Sequence, residues 1–260
     1  MLKPIDVELY SLREYAEKDF AGVLKRVAAI GYKAVEPAGI WNLKPAELKK
    51  MLDDLGLKIY TDHTFGASKP EDVNQAVDNL SALGLRNACI GYWQDAFADE
   101  DAIKRTAEKT NAVIEAFAAQ GFTVYQHNHY WEFGRLPDGR IKYDVYDALC
   151  PNLKYQLDCF WSTNLGAEDP VAILKRYAPK CISIHIKDGR CIPDPDGGKP
   201  KVELMPLGTG DLPIPELVAL IPEDVLSVIV ELDYANIEMW DAIEQSYGYM
   251  TANKFAAGNR

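Results

Sequence analysis

Short apolar runs alternate with amphipathic segments along the whole chain. Runs rich in β-branched and aromatic residues, bounded by turn-forming residues, are typical of buried strands. This pattern predicts eight strands: Ile5–Tyr10, Ala34–Glu36, Leu57–Thr61, Asn87–Gly91, Phe122–His127, Lys154–Asp158, Cys181–His185 and Ser227–Glu231. No stretch interrupts the alternation as a linker would.

Segments with apolar residues at helical spacing lie between these runs. The clearest are Phe20–Ile30, Pro45–Leu55, Glu71–Leu83, Asp101–Gln120, Pro170–Tyr177 and Pro215–Leu220. Several end at a glycine, the residue that most readily adopts the left-handed conformation of a helix C-terminus. Eight β-then-α units in 260 residues predict a (β/α)₈ TIM barrel, whose usual length is about 250 residues. We expect one domain over residues 1–260.

Composition excludes several functional classes. The formal net charge is −11, which argues against nucleic-acid binding, since that depends on clustered Lys and Arg. No apolar run approaches the roughly 18 residues of a membrane helix, and no leader pattern precedes the first strand. The five cysteines show no paired spacing, so we expect neither disulfides nor a Cys-based zinc site. These features predict a cytoplasmic protein without membrane association; a homo-oligomer is left open.

All four histidines lie within a residue or two of a predicted strand exit. His127 and His129 leave the fifth strand on one face, His63 follows the third strand, and His185 ends the seventh. In a TIM barrel the carboxyl ends of the strands form the functional face. Imidazole and carboxylate are the usual ligands of a divalent cation there. The placement favours a metal site, with purely structural histidines as the alternative.

The connection after the seventh strand is unusually long. It runs from Gly189 to about Pro213 and contains Gly208 and Gly210. Long loops in compact domains are usually functional, so we expect this one to cover the site. The two glycines can bring backbone N–H groups close to a substrate oxygen, although such a pair more often only turns the chain.

Motifs along nearly the whole chain resemble the xylose isomerase-like TIM barrels known as sugar phosphate isomerases/epimerases. The motifs are Val35-Glu36, His127-Asn128-His129, Leu157-Asp158-Cys159-Phe160-Trp161, Ile184-His185-Ile186-Lys187-Asp188, Gly208-Thr209-Gly210 and Val230-Glu231-Leu232-Asp233. The resemblance implies one divalent cation, commonly Mn²⁺, with Mg²⁺, Co²⁺ or Zn²⁺ as alternatives. Its ligands in the family are Glu, Asp, His and Glu on the last four strands.

Three of these ligands match Asp158, His185 and Glu231, whereas His127 stands where the family has its first Glu. The implied set therefore has two imidazoles and two carboxylates, which leaves the cation a stronger Lewis acid. Glu132, in the loop after the strand, is the alternative ligand or base. The His-Asn-His form also resembles branches that include dehydratases of the inosose type.

The resemblance implies a metal-dependent isomerase or epimerase. It would abstract a proton next to the carbonyl of a sugar or keto-sugar and pass through an enediolate. Glu231 is the first choice for the base, Glu132 the second, and Lys187 the donor to the developing oxyanion. The residues expected to contact the substrate are Arg13, Glu36, His63, Trp93, His129 and Trp161.

Three other functions stay open or are disfavoured. A lyase would use the same enediolate to expel water or another β-leaving group from a keto-sugar or keto-inositol. A non-catalytic carbohydrate-binding barrel would need no cation. A DNA-repair endonuclease is disfavoured by the acidic charge and by only four histidines. The stretch Leu232–Asn236 is acidic and has no basic residue, which favours an unphosphorylated sugar.

Overall fold

The computed structural model describes residues 2–259, and its centre is a curled sheet of parallel strands. The strands in chain order are β1 (Ile5–Glu8), β2 (Ala34–Glu36), β3 (Asn87–Ile90), β4 (Thr123–His127), β5 (Lys154–Asp158), β6 (Cys181–Ile186), β7 (Asp188–Ile192), β8 (Lys201–Met205) and β9 (Val228–Val230). Seven of them form the sheet, in the order β2-β1-β9-β6-β5-β4-β3. All its pairs are parallel, so all its carboxyl ends share one edge. The fold is the predicted TIM barrel.

Eight α-helices cover the outside of the sheet. They are α1 (Arg13–Ile30), α2 (Pro45–Asp54), α3 (Val73–Ala82), α4 (Glu100–Ala118), α5 (Lys142–Leu149), α6 (Pro170–Tyr177), α7 (Ile214–Ala219) and α8 (Met239–Ala252). Helix α1 begins at Arg13, before the predicted start at Phe20, and it is kinked at Asp19. The Asp19 carboxylate accepts the N–H of Gly22 at 2.8 Å, so it caps the segment that the sequence predicted.

The prediction of a third strand at Leu57–Thr61 was wrong. Only Lys58 pairs with β2, through hydrogen bonds to Val35 and Lys33. On the other side the Tyr60 carbonyl accepts the Asn87 side chain at 3.0 Å. On the β3 side a side chain thus takes the place of backbone hydrogen bonds. The segment fills the gap between β2 and β3 without forming a strand. The predicted fifth to eighth strands correspond to β4, β5, β6 and β9.

Strand positions alternate between two kinds of core. Outward residues such as Val7 and Leu157 are apolar and pack under the helices. Inward residues such as Asp6, Glu8 and Gln156 are polar, yet they are fully buried. A buried polar group must find a partner or lose its charge. The barrel interior is therefore polar: Gln156 is hydrogen-bonded, whereas the carboxyls of Asp6 and Glu8 have no hydrogen-bond partner and burial raises their pKa.

The long connection after β6 contains structure that the sequence did not predict. Strands β7 and β8 pair as an antiparallel hairpin. Its Lys199 ammonium donates to the Tyr130 hydroxyl at 2.9 Å, and the Tyr234 hydroxyl donates to the Val202 carbonyl at 2.9 Å. Tyr130 follows β4 and Tyr234 follows β9, so the hairpin spans the mouth of the barrel, where a cover was expected.

Within residues 2–259 no helix is long and apolar enough to cross a membrane. Each of the five cysteines is a free thiol; four are buried and Cys191 is partly exposed.

Candidate metal centre

Four donor side chains converge at the carboxyl ends of neighbouring strands. His127 ends β4, Asp158 ends β5, His185 lies near the end of β6, and Glu231 follows β9. One nitrogen or oxygen from each lies within 4.8 Å of the others, and all four residues are buried. We call this group the metal centre. The sequence had named the same four residues, and the parallel sheet explains why residues far apart in the chain meet here.

His185 lies between two carboxylates. Its Nδ1 is 2.5 Å from Glu231 Oε2, and its Nε2 is 2.6 Å from Glu36 Oε2. Burial alone would lower the pKa of His185, but the charges of Glu36 and Glu231 outweigh it and raise the pKa to about 9. The ring therefore carries a proton on each nitrogen, and Nδ1 is the nitrogen that faces the metal centre.

His127 presents a nitrogen without a proton. Its Nδ1 lies 3.2 Å from the Gln156 side-chain oxygen, which can only accept, so Nδ1 carries the proton and Nε2 keeps its lone pair. Burial, assisted by the positive charges of His185 and His63, holds the pKa of His127 well below its usual value. A neutral imidazole whose other nitrogen is hydrogen-bonded is the usual form of a metal ligand.

Lys187 lies among the carboxylates rather than on the surface. Its Nζ is 2.9 Å from Asp158 Oδ2, 3.0 Å from Glu231 Oε2 and 2.8 Å from Asp233 Oδ2. Burial would lower the pKa of Lys187, but Asp158, Asp233 and Glu231 raise it. For the carboxyl of Glu231 burial acts in the opposite direction and would raise the pKa, but Lys187 and His185 lower it. Both groups are thus held in their charged forms.

The two oxygens of Asp158 have different partners. Oδ1 accepts the backbone N–H groups of Phe160 and Trp161 at 2.9 and 2.8 Å. Oδ2 is buried and lies 2.9 Å from the Lys187 ammonium. A carboxylate beside two imidazoles and a second carboxylate is a donor set that fits a divalent cation.

A second cluster adjoins the metal centre at His185. It consists of Glu8, Glu36 and His63, and their donor atoms also lie within 4.8 Å of one another and of a His185 nitrogen. Burial and the charge of Glu36 raise the pKa of Glu8. Burial would also raise the pKa of Glu36, but His63 and His185 lower it. The two carboxyls therefore hold one proton, which resides on Glu8.

Gln156 connects the second cluster to the metal centre. Its side-chain oxygen accepts from His63 Nε2 at 2.5 Å and from His127, and its amide nitrogen donates to Glu36 Oε1 at 2.6 Å. The sequence reasoning missed Glu8 and Gln156. The signal was present, because both are polar residues that alternate with buried apolar residues along their strands.

Glu132 lies outside the metal centre. Its carboxyl is buried, Oε2 accepts the His129 backbone N–H at 3.0 Å, and burial raises its pKa to about 8. This contact fixes the loop that carries His129. None of the described contacts connects Glu132 to the four donor atoms, so its role as ligand or base stays a prediction without geometric support.

The predicted substrate contacts lie at different depths. Glu36 and His63 belong to the second cluster, and His129 has a buried Nδ1 without a hydrogen bond. Lys187 Nζ lies 5.4 Å from the Trp161 ring, and the Trp161 indole N–H also lacks a hydrogen-bond partner. Unsatisfied donors and acceptors near the metal centre are what a polar ligand requires.

Arg13 and Trp93 lie farther out. The Arg13 guanidinium donates to the backbone carbonyls of Tyr10 and Asp233 at 2.7 and 2.9 Å, so it ties the first loop to the loop after β9. Trp93 is 77% exposed.

The Gly208 and Gly210 amides have a protein partner. Both donate to Asp188 Oδ2 at 2.9 Å, and the N–H groups of Gly189 and Leu212 donate to Asp188 Oδ1. A Cβ at Gly210 would lie 2.1 Å from that carboxylate, which explains the glycine. These amides close the base of the β7–β8 hairpin and are not free for a substrate oxygen.

The sequence matches a known protein family and known relatives. Residues 24–250 match the family described as xylose isomerase-like TIM barrel. The chain belongs to this family. Over 200 residues it is 24% identical to an inosose dehydratase of Klebsiella pneumoniae, a match that covers 67% of this chain and 66% of that protein. The match therefore spans slightly less than two thirds of the relative's length.

Solved structures of the xylose isomerase-like TIM barrel family superpose along nearly the whole chain. A sugar phosphate isomerase/epimerase from Parabacteroides distasonis has a TM-score of 0.78 and 23% identity, with 99% of this chain and 96% of that one covered. A family protein from Mycobacterium smegmatis in complex with magnesium has a TM-score of 0.66 and 15% identity, with 98% of each chain covered. At these identities the likeness establishes the shared fold.

Proposed function

We propose that the protein uses one divalent cation to abstract a proton next to the carbonyl of a sugar or keto-sugar. The observation that carries the proposal is the convergence of His127, Asp158, His185 and Glu231 within 4.8 Å, in a buried site at the carboxyl ends of the strands. Magnesium in a family neighbour supports a divalent cation. Mn²⁺ remains our first choice.

Each ligand has one atom ready for the cation. They are His127 Nε2, Asp158 Oδ2, His185 Nδ1 and a Glu231 oxygen. A bound cation would polarise a carbonyl oxygen and stabilise the negative charge that develops on it. To hold the cation, His185 would give up its Nδ1 proton, whereas its Nε2–H would keep donating to Glu36 Oε2 and so orient the ring.

Glu231 and Lys187 are placed for proton transfer. Glu231 is ionised, and its Oε2 lies 3.0 Å from the Lys187 ammonium. A carboxylate fixed in position can take the proton from the carbon beside the carbonyl. Lys187, which stays charged, can donate a hydrogen bond to the developing oxyanion. The resulting enediolate is the common intermediate of isomerisation, epimerisation and elimination.

An isomerase or epimerase is the first candidate, and a lyase is the second. Epimerisation needs a second proton donor on the opposite face of the carbon. In this chain the fourth ligand position holds His127, a neutral imidazole bound to Gln156, instead of a carboxylate. Elimination needs no second group on the opposite face, because the proton that Glu231 takes from carbon can pass to the leaving hydroxyl, which departs as water. The inosose dehydratase relative also favours the lyase.

Solvent deuterium exchange with Glu231→Gln tests the proposal. The variant keeps an oxygen for the cation but loses the charge that accepts a proton, so we expect at least about a hundredfold slower exchange with metal retained. Glu216→Gln, an exposed change on α7, is the matched control. NMR of the products separates an epimer from an eliminated product. Unchanged exchange would remove Glu231 as the base, and no exchange with any keto-sugar in the wild type would favour a binding barrel.

A further inference from the structure

A row of three aromatic rings leads outward from the metal centre. His129 stacks on Trp131 with centroids 4.2 Å apart and planes 11° apart, and Trp131 stacks on Trp93 at 6.1 Å and 25°. The Trp131 indole N–H donates to the Tyr92 carbonyl at 3.2 Å, which fixes the middle ring. At the inner end His127 lies 5.3 Å from His129. Ring contacts therefore connect a metal ligand to the surface.

Trp93 ends this row in water. It is 77% exposed, more than any other exposed large hydrophobic residue in the described chain. Burying an aromatic side chain stabilises the folded state by about 1.5–3 kcal/mol. The exposed Trp93 indole does not contribute this stabilisation. Indoles in such positions supply flat, amphipathic platforms for ligand rings.

Two cavities meet beside this row. The inner one, of about 380 Å³, is lined by three of the four histidines, and the outer one, of about 450 Å³, is lined by Tyr92 and Trp93. Ser68 and Gly91 line both, so the two cavities are neighbours. Each falls in the size range of small-ligand sites. Together they hold a ligand longer than one sugar ring.

The outer cavity also carries unpaired positive charge. Arg105 and Lys109 lie one turn apart on α4 and line it, and neither makes an ion pair in the part of the chain that the structure describes. Their neighbour Lys104, in contrast, is 3.0 Å from Glu100. Asp95 is the acidic side chain on the same wall. Two cations against one carboxylate favour an anionic group, such as a carboxylate or phosphate.

We propose that the substrate is a two-ring glycoside with an anionic group on its second ring, an inference that rests on the proposed function. The keto-sugar ring occupies the inner cavity at the metal centre. The second ring stacks on Trp93, and its anion lies between Arg105 and Lys109. Trp93 lies three ring contacts from His127, at the outer end of the row.

Binding of three unreactive probes tests this without turnover. The probes are the methyl, phenyl and 4-carboxyphenyl glycosides of glucose, measured by calorimetry with the wild type. We expect the phenyl ring to improve affinity at least about fivefold over methyl, and the carboxylate at least about fivefold more. Only the second gain should weaken with salt. A 4-phosphophenyl probe tells a phosphate preference from a carboxylate preference.

Variants assign each gain to its residue. Trp93→Ala should abolish the phenyl gain, and Trp93→Phe should keep most of it. Arg105→Ala with Lys109→Ala should abolish the carboxylate gain, whereas Lys104→Ala, on the same helix but paired with Glu100, should not change it. None of these variants should alter the affinity for the methyl glycoside.

Equal affinity for the three probes, no binding of any of them, or the same loss for the methyl glycoside would overturn the proposal. Its failure can be told from that of the proposed function. If deuterium exchanges into the 3-keto form of the methyl glycoside, but the phenyl glycoside binds no more tightly than the methyl glycoside, only the second-ring site is refuted. A ring gain lost in Trp93→Ala, with no exchange in any 3-keto glycoside, would support that site and refute the proposed function.

Discussion

The metal centre and the second cluster use the same kinds of side chain but hold them in different charge states. At the metal centre the Lys187 ammonium contacts Asp158 and Glu231, and Glu231 is ionised because its pKa is lowered. The second cluster contains no lysine or arginine, and there burial raises the pKa of Glu8. In the same cluster Glu36 stays ionised, because His63 and His185 lower its pKa. The positive charges nearest each carboxyl group therefore decide which of the carboxyl groups keep a proton.

Asp158 and Glu36 differ in how their oxygens are engaged. At the metal centre Asp158 Oδ2 has no hydrogen bond and lies 2.9 Å from the Lys187 ammonium. In the second cluster both Glu36 oxygens are occupied, Oε1 by Gln156 and Oε2 by His185. A carboxylate with both oxygens occupied is suited to orient a ligand of the metal rather than to bind the metal. Donor composition alone would not distinguish the two clusters.

The largest expected effect is the loss of metal from the metal centre. Asp158→Ala should reduce the affinity for Mn²⁺ by at least about a hundredfold, because ligands matter more than the groups that orient them. Glu8→Gln, in the second cluster, is the control and should bind one metal per chain like the wild type. Metal analysis after chelation and reconstitution decides this. Stoichiometric metal in Asp158→Ala would refute the assignment of the ligands.

An intermediate effect is expected where the clusters meet. Glu36→Gln weakens the acceptor for His185 Nε2–H, so the ring is held less firmly and its Nδ1 becomes a poorer ligand. We expect about a tenfold to hundredfold loss of metal affinity, measured by competition with a chelating dye. If Glu36→Gln binds metal as tightly as the wild type, Glu36 does not position His185.

The smallest effect is expected at Glu8, in the metal-free protein. Folded Glu8 keeps its proton, whereas in the unfolded chain it ionises above about pH 4.5. The unfolded state then binds fewer protons, so wild-type stability falls as pH rises through that value. Glu8→Gln removes this penalty, and its melting temperature should exceed that of the wild type by a margin that grows from pH 4.5 to 7. A margin independent of pH would mean that folded Glu8 is ionised.

The site was predictable from the sequence because parallel strands bring their carboxyl ends together. His127, Asp158 and His185 could be placed by counting strand exits alone. The end of the first strand was misplaced at Tyr10, because the apolar pattern continues through Leu9 although the strand ends at Glu8. That error hid Glu8 and, with it, the second cluster.

Two other elements depended on contacts that local sequence does not encode. The segment Leu57–Thr61 has strand-like composition, but on the β3 side it is bonded by the side chain of Asn87, and Asp62, which follows it, is bonded by the Tyr125 hydroxyl. The β7–β8 hairpin lacks a tight two-residue turn signal, because its strands are separated by Pro193–Pro200. Partners remote in the chain decide both cases.

The hairpin has a consequence for how such a barrel changes over evolutionary time. Asp188 gathers four backbone N–H groups at the base of the hairpin, so the insertion starts and ends at one fixed point whatever lies between. The tip, 193–200, can then be lengthened, shortened or exchanged as a cassette without moving β6 or the residues on it. Catalytic chemistry and the width of the entrance are in this way separately adjustable, and a designer can graft new tips onto an unaltered barrel.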